Sequence, residues 1–400
     1  MELKKVLLYL ILIMSTFYAF IQAAGIIRID VLLIIMFVMT VVLLFIAKKV
    51  RFNNTAALYL LVLLLMCISL FYTVDTELTV TYIYVMVYGF VLFVCCLSHK
   101  DAPDCLIKVL LAFSLINVFA TIFSILAGDS FTKFVSALFP KLNTKFEFAS
   151  GMLGQTGTNS YVIVYSCLYY WINIIASSEK KTKHLIFLLL SVFALLLTGK
   201  RGPLIWLVAT AMIVDLVFQN HTKASDLLKS VFKYIGIILV IVLFFVTVDN
   251  IDIVSNALSR FIVDQEKDFS SGRFKLYEKG IQYIKDNFFF GVGAGAYNHF
   301  GQGVHNDYLQ IIAENGIFSS LLFFAFILLN LKNAFRTFKK TYNKIIPLYF
   351  LGLQIFMALN ALTGTSYLHY GLFFIYIEVC SCNYVLYYHD EITEIKAASQ

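Results

Sequence analysis

VLLIIMFVMTVVLLFIAKKVR (Val31–Arg51) is the stretch that decides what kind of chain this is. Between Val31 and Ala47 there is one polar side chain, Thr40, and no charge. Wound as a helix, such a run reaches across a hydrocarbon layer about 30 Å thick. It does so with every backbone N–H and C=O paired internally, as lipid demands. Lys48, Lys49 and Arg51 follow at once. Cations at the end of a span mark its cytoplasmic side.

Working outward, the rest of the chain repeats that pattern. The 400 residues are 60% hydrophobic and 14% charged, against about 25% charged in soluble proteins. That balance argues against a large soluble bundle. Four prolines and 20 glycines exclude a collagen-like or disordered chain. Apolar runs place about twelve spans, at 6–24, 29–47, 56–73, 78–98, 105–127, 159–177, 184–199, 203–218, 231–248, 309–331, 345–363 and 366–387. The run behind Lys4 and Lys5 is too long for a signal peptide and lacks a convincing cleavage site, so it reads as the first span. The expected fold is an all-α integral membrane protein, a single polytopic domain over 1–400.

Sidedness follows from the basic clusters. Lys4-Lys5, Lys48-Lys49-Arg51, Lys100, Lys180-Lys181-Lys183, Lys223 and Lys229, and Lys332 through Lys344 all fall on one side if the count is twelve. Both termini are then cytoplasmic. Thr73–Glu77 and Thr363–Ser366 fall outside. So do two long segments, about 128–158 and 249–307. Loops of that length in a compact protein are usually functional. The seven cysteines show no zinc-ribbon spacing and read as small hydrophobes.

Most polar interest lies in Gly291–Gln310, GVGAGAYNHFGQGVHNDYLQ. Its opening fits the loose string G-x-G-x-x-G/A, yet no strand precedes it and no βαβ unit surrounds it, so a dinucleotide site is not supported. The glycines read instead as tight turns at the membrane surface, which can also turn backbone N–H groups toward an anion. His299, His305 and Asp307 fit no familiar metal-ligand spacing. The bland alternative is a histidine with a structural hydrogen bond.

Cations recur on the same side. Thr198–Pro203 (TGKRGP) joins two apolar runs almost without a loop, which puts Lys200 and Arg201 at the outer membrane edge. Charges there are costly and often functional, and arginine grips phosphate oxygens in bidentate fashion. Snorkelling to lipid headgroups is the plainer reading, above all for Lys200. Arg273 opens a stretch in which Leu276, Tyr277, Gly280, Ile281 and Ile284 recur at helical spacing, an amphipathic helix over about 272–285. A cation at a helix start favours anions. Lys275, Lys279 and Lys285 read as its solvated face. Asn159 reads as a helix cap or a contact to a sugar hydroxyl. Asp307 reads as the cap of the tenth span, with Asp307 and Glu314 as alternative partners that orient His305.

These residues together resemble the O-antigen ligase/polymerase family of bacterial envelope glycan assembly. Three segments carry the likeness: Leu195–Gly202 (LLLTGKRG), similar to the family's TGSRG; Gly272-Arg273 with the helix after it and Asp286–Gly293 (DNFFFGVG); and His305–Gln310 (HNDYLQ) running on to Ala313–Gly316 (AENG). Gly151–Asn159 is similar to a weaker G…N segment of the family. Lys200 stands where serine is commoner, and Phe288 is near the place of a usual proline. Motif detail covers 150–330, read as the catalytic core with the 249–307 loop inside it.

The resemblance implies a GT-C-like membrane glycosyltransferase with no metal and no cofactor. Its donor would be an oligosaccharide on undecaprenyl diphosphate at the outer face of the plasma membrane. Arg201 and Arg273 would bind the diphosphate, and His305 would take the proton of the acceptor hydroxyl. Lys200, Asn159, Gly293, Asn306 and Asp307 would support them. A glycan or lipid-linked acceptor, the bilayer and a chain-length regulator would be its partners; nucleic acid would not. Polymerisation of O-antigen, capsule or exopolysaccharide repeats is the first reading, and ligation to lipid A core or another acceptor the second. A transporter of the same lipid belongs to another class. It would put polar groups along a mid-membrane path, and the chain shows no matched halves.

Overall fold

A computed structural model describes residues 3–47, 49–142, 150–177, 181–219, 236, 272–341 and 344–398, with side chains as far as 388. Among the described residues the regular structure is entirely helical. Helices α1 (Leu3–Thr16) and α2 (Tyr18–Ala24) form a pair bent by 60°. Next come α3 (Ile29–Ile46), α4 (Asn54–Ile68), α5 (Thr76–Ser98), α6 (Ala102–Leu126) and a short α7 (Asp129–Leu138). They are followed by α8 (Thr156–Ala176), α9 (Lys181–Leu197) and α10 (Arg201–Gln219). The remaining helices are α11 (Arg273–Asp286), α12 (Asp307–Lys340), α13 (Ile345–Asn360) and α14 (Tyr370–Ala398).

Each expected span coincides with a helix, except 231–248, which lies outside the described residues. Among the described residues seven helices are long and apolar enough to cross a membrane, or eight with the bent pair as one span. The chain is thus a multi-pass membrane protein. Helices α8, α9 and α13 fall short of that test: α8 is diluted by Thr, Asn, Ser and Tyr, and the other two are short. Within 128–158, read as an external segment, α7 also forms.

The helix starts follow from local chemistry. Asn53 Oδ1 accepts from the Ala56 N–H at 2.8 Å, and Asp75 Oδ1 from that of Leu78 at 3.1 Å, each satisfying an orphan donor of a first turn. Gly25 closes α2 in the left-handed conformation with φ 60°. Between helices in lipid, packing and short hydrogen bonds replace hydrophobic drive. Ser114 Oγ donates to Val162 O at 2.7 Å, and Ser166 Oγ to Ser191 Oγ at 2.9 Å, tying α6, α8 and α9.

Helix α14 lies at the centre, with 78% of its span window buried, and packs on α1, α5, α6, α12 and α13. Its Glu378 is fully buried. The carboxylate is held by the hydroxyls of Ser15 and, at 3.4 Å, Thr16, just where α1 gives way to α2.

The two ends of the bundle differ. At one, Arg51 N bonds Ser98 Oγ, Thr55 meets Tyr384, and Lys340 Nζ donates to Tyr387 OH at 2.9 Å. Three of the basic turns read as cytoplasmic thus meet. At the other end, residues 72–75, 288–307 and 362–367 interlock, and the candidate site lies there.

Candidate functional site

The glycine-rich stretch docks into a break in α12. Gly316 has φ 65° and ψ −179° and interrupts that helix. Ile317 N donates to Phe288 O, Val292 N to Ala313 O and Gly293 N to Glu314 O, each at 2.9 Å. The backbone so replaces helical partners lost at the break. A Cβ on Gly316 would stand 2.1 Å from Phe289 O, and one on Gly291 2.3 Å from Glu314 O. Only glycine permits this approach.

Gly293 also faces the 72–75 turn, where a Cβ would meet Thr73 Oγ1 at 2.1 Å. Every N–H from Gly291 to Gly295 has a protein acceptor: Asn287 O, Ala313 O, Glu314 O, Ser69 Oγ and Glu314 Oε2. The turns are therefore structural, and the notion that these N–H groups cradle an anion is corrected.

Helix α11 begins at Arg273, behind Gly272 with φ 81°. Its apolar face meets a small cluster made of Tyr297, Val304 and Ala313, joined by Tyr277, Tyr283, Ile284 and Leu309. Gly280 lets the Val304 side chain sit close, 3.2 Å from where a Cβ would be. Ile281, assigned to that face by spacing, is 41% exposed, and Tyr283 serves in its place. Lys279 is not merely solvated: its Nζ donates to Phe300 O at 3.0 Å. Tyr277 OH reaches Leu362 O at 3.4 Å, so α11 spans from the His305 loop to the turn after α13.

His305 stands at the tip of this arrangement. Val304 beside it is fully buried, with its N–H donating to Gln310 Oε1 at 3.1 Å. His305 itself has φ 58°, the one positive φ outside glycine among the described residues. The Gln302 amide lies 2.9 Å from its Nε2, within hydrogen-bond reach. Burial lowers the imidazole pKa below its usual value, and the positive charges of Arg273 and Lys200 lower it further. Arg273, Lys200 and His305 therefore share one electrostatic neighbourhood. Arg201 opens α10, and Gly202 and Trp206 of that helix abut Thr363, where Trp206 Nε1 donates to Oγ1 at 2.8 Å.

The remaining residues separate by role. Asn306, not Asp307, caps α12: its Oδ1 accepts from Leu309 N at 3.1 Å. Asp307 is fully buried and accepts from the N–H groups of Ser366 and Tyr367, both at 2.6 Å, while its own N–H goes to Ala361 O. It ties the 361–367 turn under the His305 loop. Glu314 accepts from Gln310 Nε2 and Gly295 N, so it anchors the glycine turn and does not orient His305.

Asn159 is not a cap either. Gln155 precedes α8, and Asn159, fully buried, donates to Thr121 Oγ1 of α6 at 2.8 Å. Buried there, it ties α8 to α6. His299 pairs with Asp75 at 3.1 Å. The Leu78 N–H, and then this histidine, hold the Asp75 carboxyl below its ordinary range. His299, His305 and Asp307 each have different partners. Gln302 was not singled out by the sequence reading; its place three residues before His305 in a glycine-rich turn was the available signal.

A bundle of apolar helices with a polar, cation-flanked histidine loop at one end defines the class: a multi-pass membrane protein with a functional end. Residues 186–324 match the family model described as O-antigen ligase, and this match supports assignment to the O-antigen ligase/polymerase family. Members of that family are glycosyltransferase-like enzymes, ligases or polymerases. No curated protein matches the chain.

Proposed function

We propose that this chain polymerises oligosaccharide repeats carried on undecaprenyl diphosphate, at the outer face of the plasma membrane, through a twelve-span GT-C-like fold whose catalytic core covers 150–330. What supports the reading is His305, held at φ 58° beside Gln302 in the loop against α11, with an imidazole pKa that burial and then the Arg273 and Lys200 charges lower.

The chemistry follows from that arrangement. Cleavage of the bond between the anomeric carbon and the phosphate oxygen leaves its electron pair on the lipid diphosphate. Arg273 and Arg201 bind that growing charge more strongly in the transition state than in the ground state. The acceptor hydroxyl displaces the Gln302 amide, gives its proton to His305 Nε2, and forms the new glycosidic bond. A neutral imidazole near pH 7 suits that task. The chain's own cations supply charge stabilisation at the leaving group. The donor's lipid tail stays in the bilayer, between helices.

The test is transfer by purified protein given the lipid-diphosphate-linked repeat as its sole sugar substrate, read on a gel. A ladder of products, lost in His305→Ala, is expected. A single transfer that needs an added lipid A core or protein acceptor would make it a ligase. No transfer in either case would favour transport of the lipid and overturn the proposal.

A further inference from the structure

We infer that a cavity beside the first turn of α8 receives an uncharged sugar residue of the glycan, a reading that rests on the glycosyltransferase function proposed above. The cavity measures about 450 Å³ and is framed by α2, the Leu153–Thr158 stretch, Asn298 and the start of α14. That volume lies within the range of small-molecule sites, roughly 300–1,000 Å³.

Its lining chooses the ligand. Gln22, Gln155, Thr158, Asn298 and His369 bring amide, hydroxyl and imidazole groups, and Tyr370 brings an aromatic ring. Among the described residues no Lys, Arg, Asp or Glu lines it. A diphosphate would find no counter-charge there. A sugar ring, with hydroxyls that both donate and accept, finds groups of both kinds. His369 Nε2 lies 3.4 Å from Thr158 Oγ1, so two of the lining groups already meet.

Position makes the cavity part of the same machinery. Asn298 Oδ1 would lie 3.6 Å from a Cβ on Gly303, two residues before His305. On the other side, Tyr161, one turn after Thr158 along α8, would lie 2.5 Å from a Cβ on Gly364, in the turn that Asp307 holds. Just past the 60° bend between α1 and α2, Ala19 lies close to Gly371, and Ala19, Gln22 and Ala23 line the wall.

The probe is a neutral oligosaccharide fragment of the host strain's own surface polysaccharide, free of phosphate, added to the purified full chain. Saturation-transfer NMR reads binding without any need for turnover. Wild type and His305→Ala should bind alike, and Asn298→Ala and Gln155→Leu should weaken binding tenfold or more. Gln22→Leu, on a separate helix, gives the same reading if one of those variants fails to fold. No binding by wild type, or equal binding by all folded cavity variants, overturns the inference. Cavity-dependent binding without transfer in any assay would sustain it while removing the polymerase and ligase readings.

Discussion

At His305 the backbone adopts φ 58°, a conformation costly to most side chains but several-fold enriched in His and Asn. A strained residue that also carries the imidazole is a marker of function. His305→Asn keeps the backbone preference and removes the base. Its thermal midpoint should stay close to wild type while transfer falls about 10²–10⁴-fold, the usual worth of a general base.

The pH dependence has a definite sign. The folded pKa lies below its usual value, so the ring is neutral at pH 7 and protonates only as pH falls. The acid limb of kcat/KM should therefore lie below about 6.5. Lys200→Gln removes one of the two charges that depress it, and should move that limb upward. An unmoved limb would separate Lys200 from the site. The sequence reading reached His305 and Arg273 through family likeness and helix periodicity. It missed Gln302, whose role appears only when the loop folds back, and it gave Asp307 a cap that Asn306 supplies.

Helices were the most legible scale, because apolar runs bounded by charges admit few alternatives. The amphipathic α11 was foreseen over about 272–285 and spans Arg273–Asp286. What the sequence could not show is contact between distant segments. The cavity draws on four of them, and the buried Asn159 on α6.

The break in α12 is likewise non-local, being completed by 288–293. Gly291→Ala combines a left-handed φ of 74° with a backbone clash. The conformation alone costs about 1–2 kcal/mol, and the clash adds to it. Gly157→Ala, in open space within α8, should instead be neutral or stabilising by up to about 1 kcal/mol. Thermal denaturation of both purified variants checks the contrast; equal midpoints would count against the docked turn.

For the molecule as a whole, the cysteines make the orientation in the membrane directly testable. Six are buried and Cys67 is half-buried, so background labelling should be low. Lys285→Cys on α11 should react with a membrane-impermeant maleimide in intact cells, and Lys339→Cys on α12 only after permeabilisation. Both positions are exposed, and they lie at opposite ends of the bundle. The reverse pattern would invert the assignment of sides.

The carboxylate of Glu378 has a bearing on how the protein is made. It meets Ser15 across 363 residues of sequence. During synthesis α1 waits in the bilayer with its Ser15 hydroxyl able to turn to Ile11 O, 2.8 Å away in its own helix. Glu378 enters much later, and among the described residues its hydroxyl partners, Ser15 and Thr16, are on α1. The earlier helices must then gather around a vacancy, leaving a lateral seam until the central helix emerges from the ribosome. Biogenesis of this bundle would thus finish from the inside, and chaperones or the insertion machinery would have an unfilled core to guard until it does.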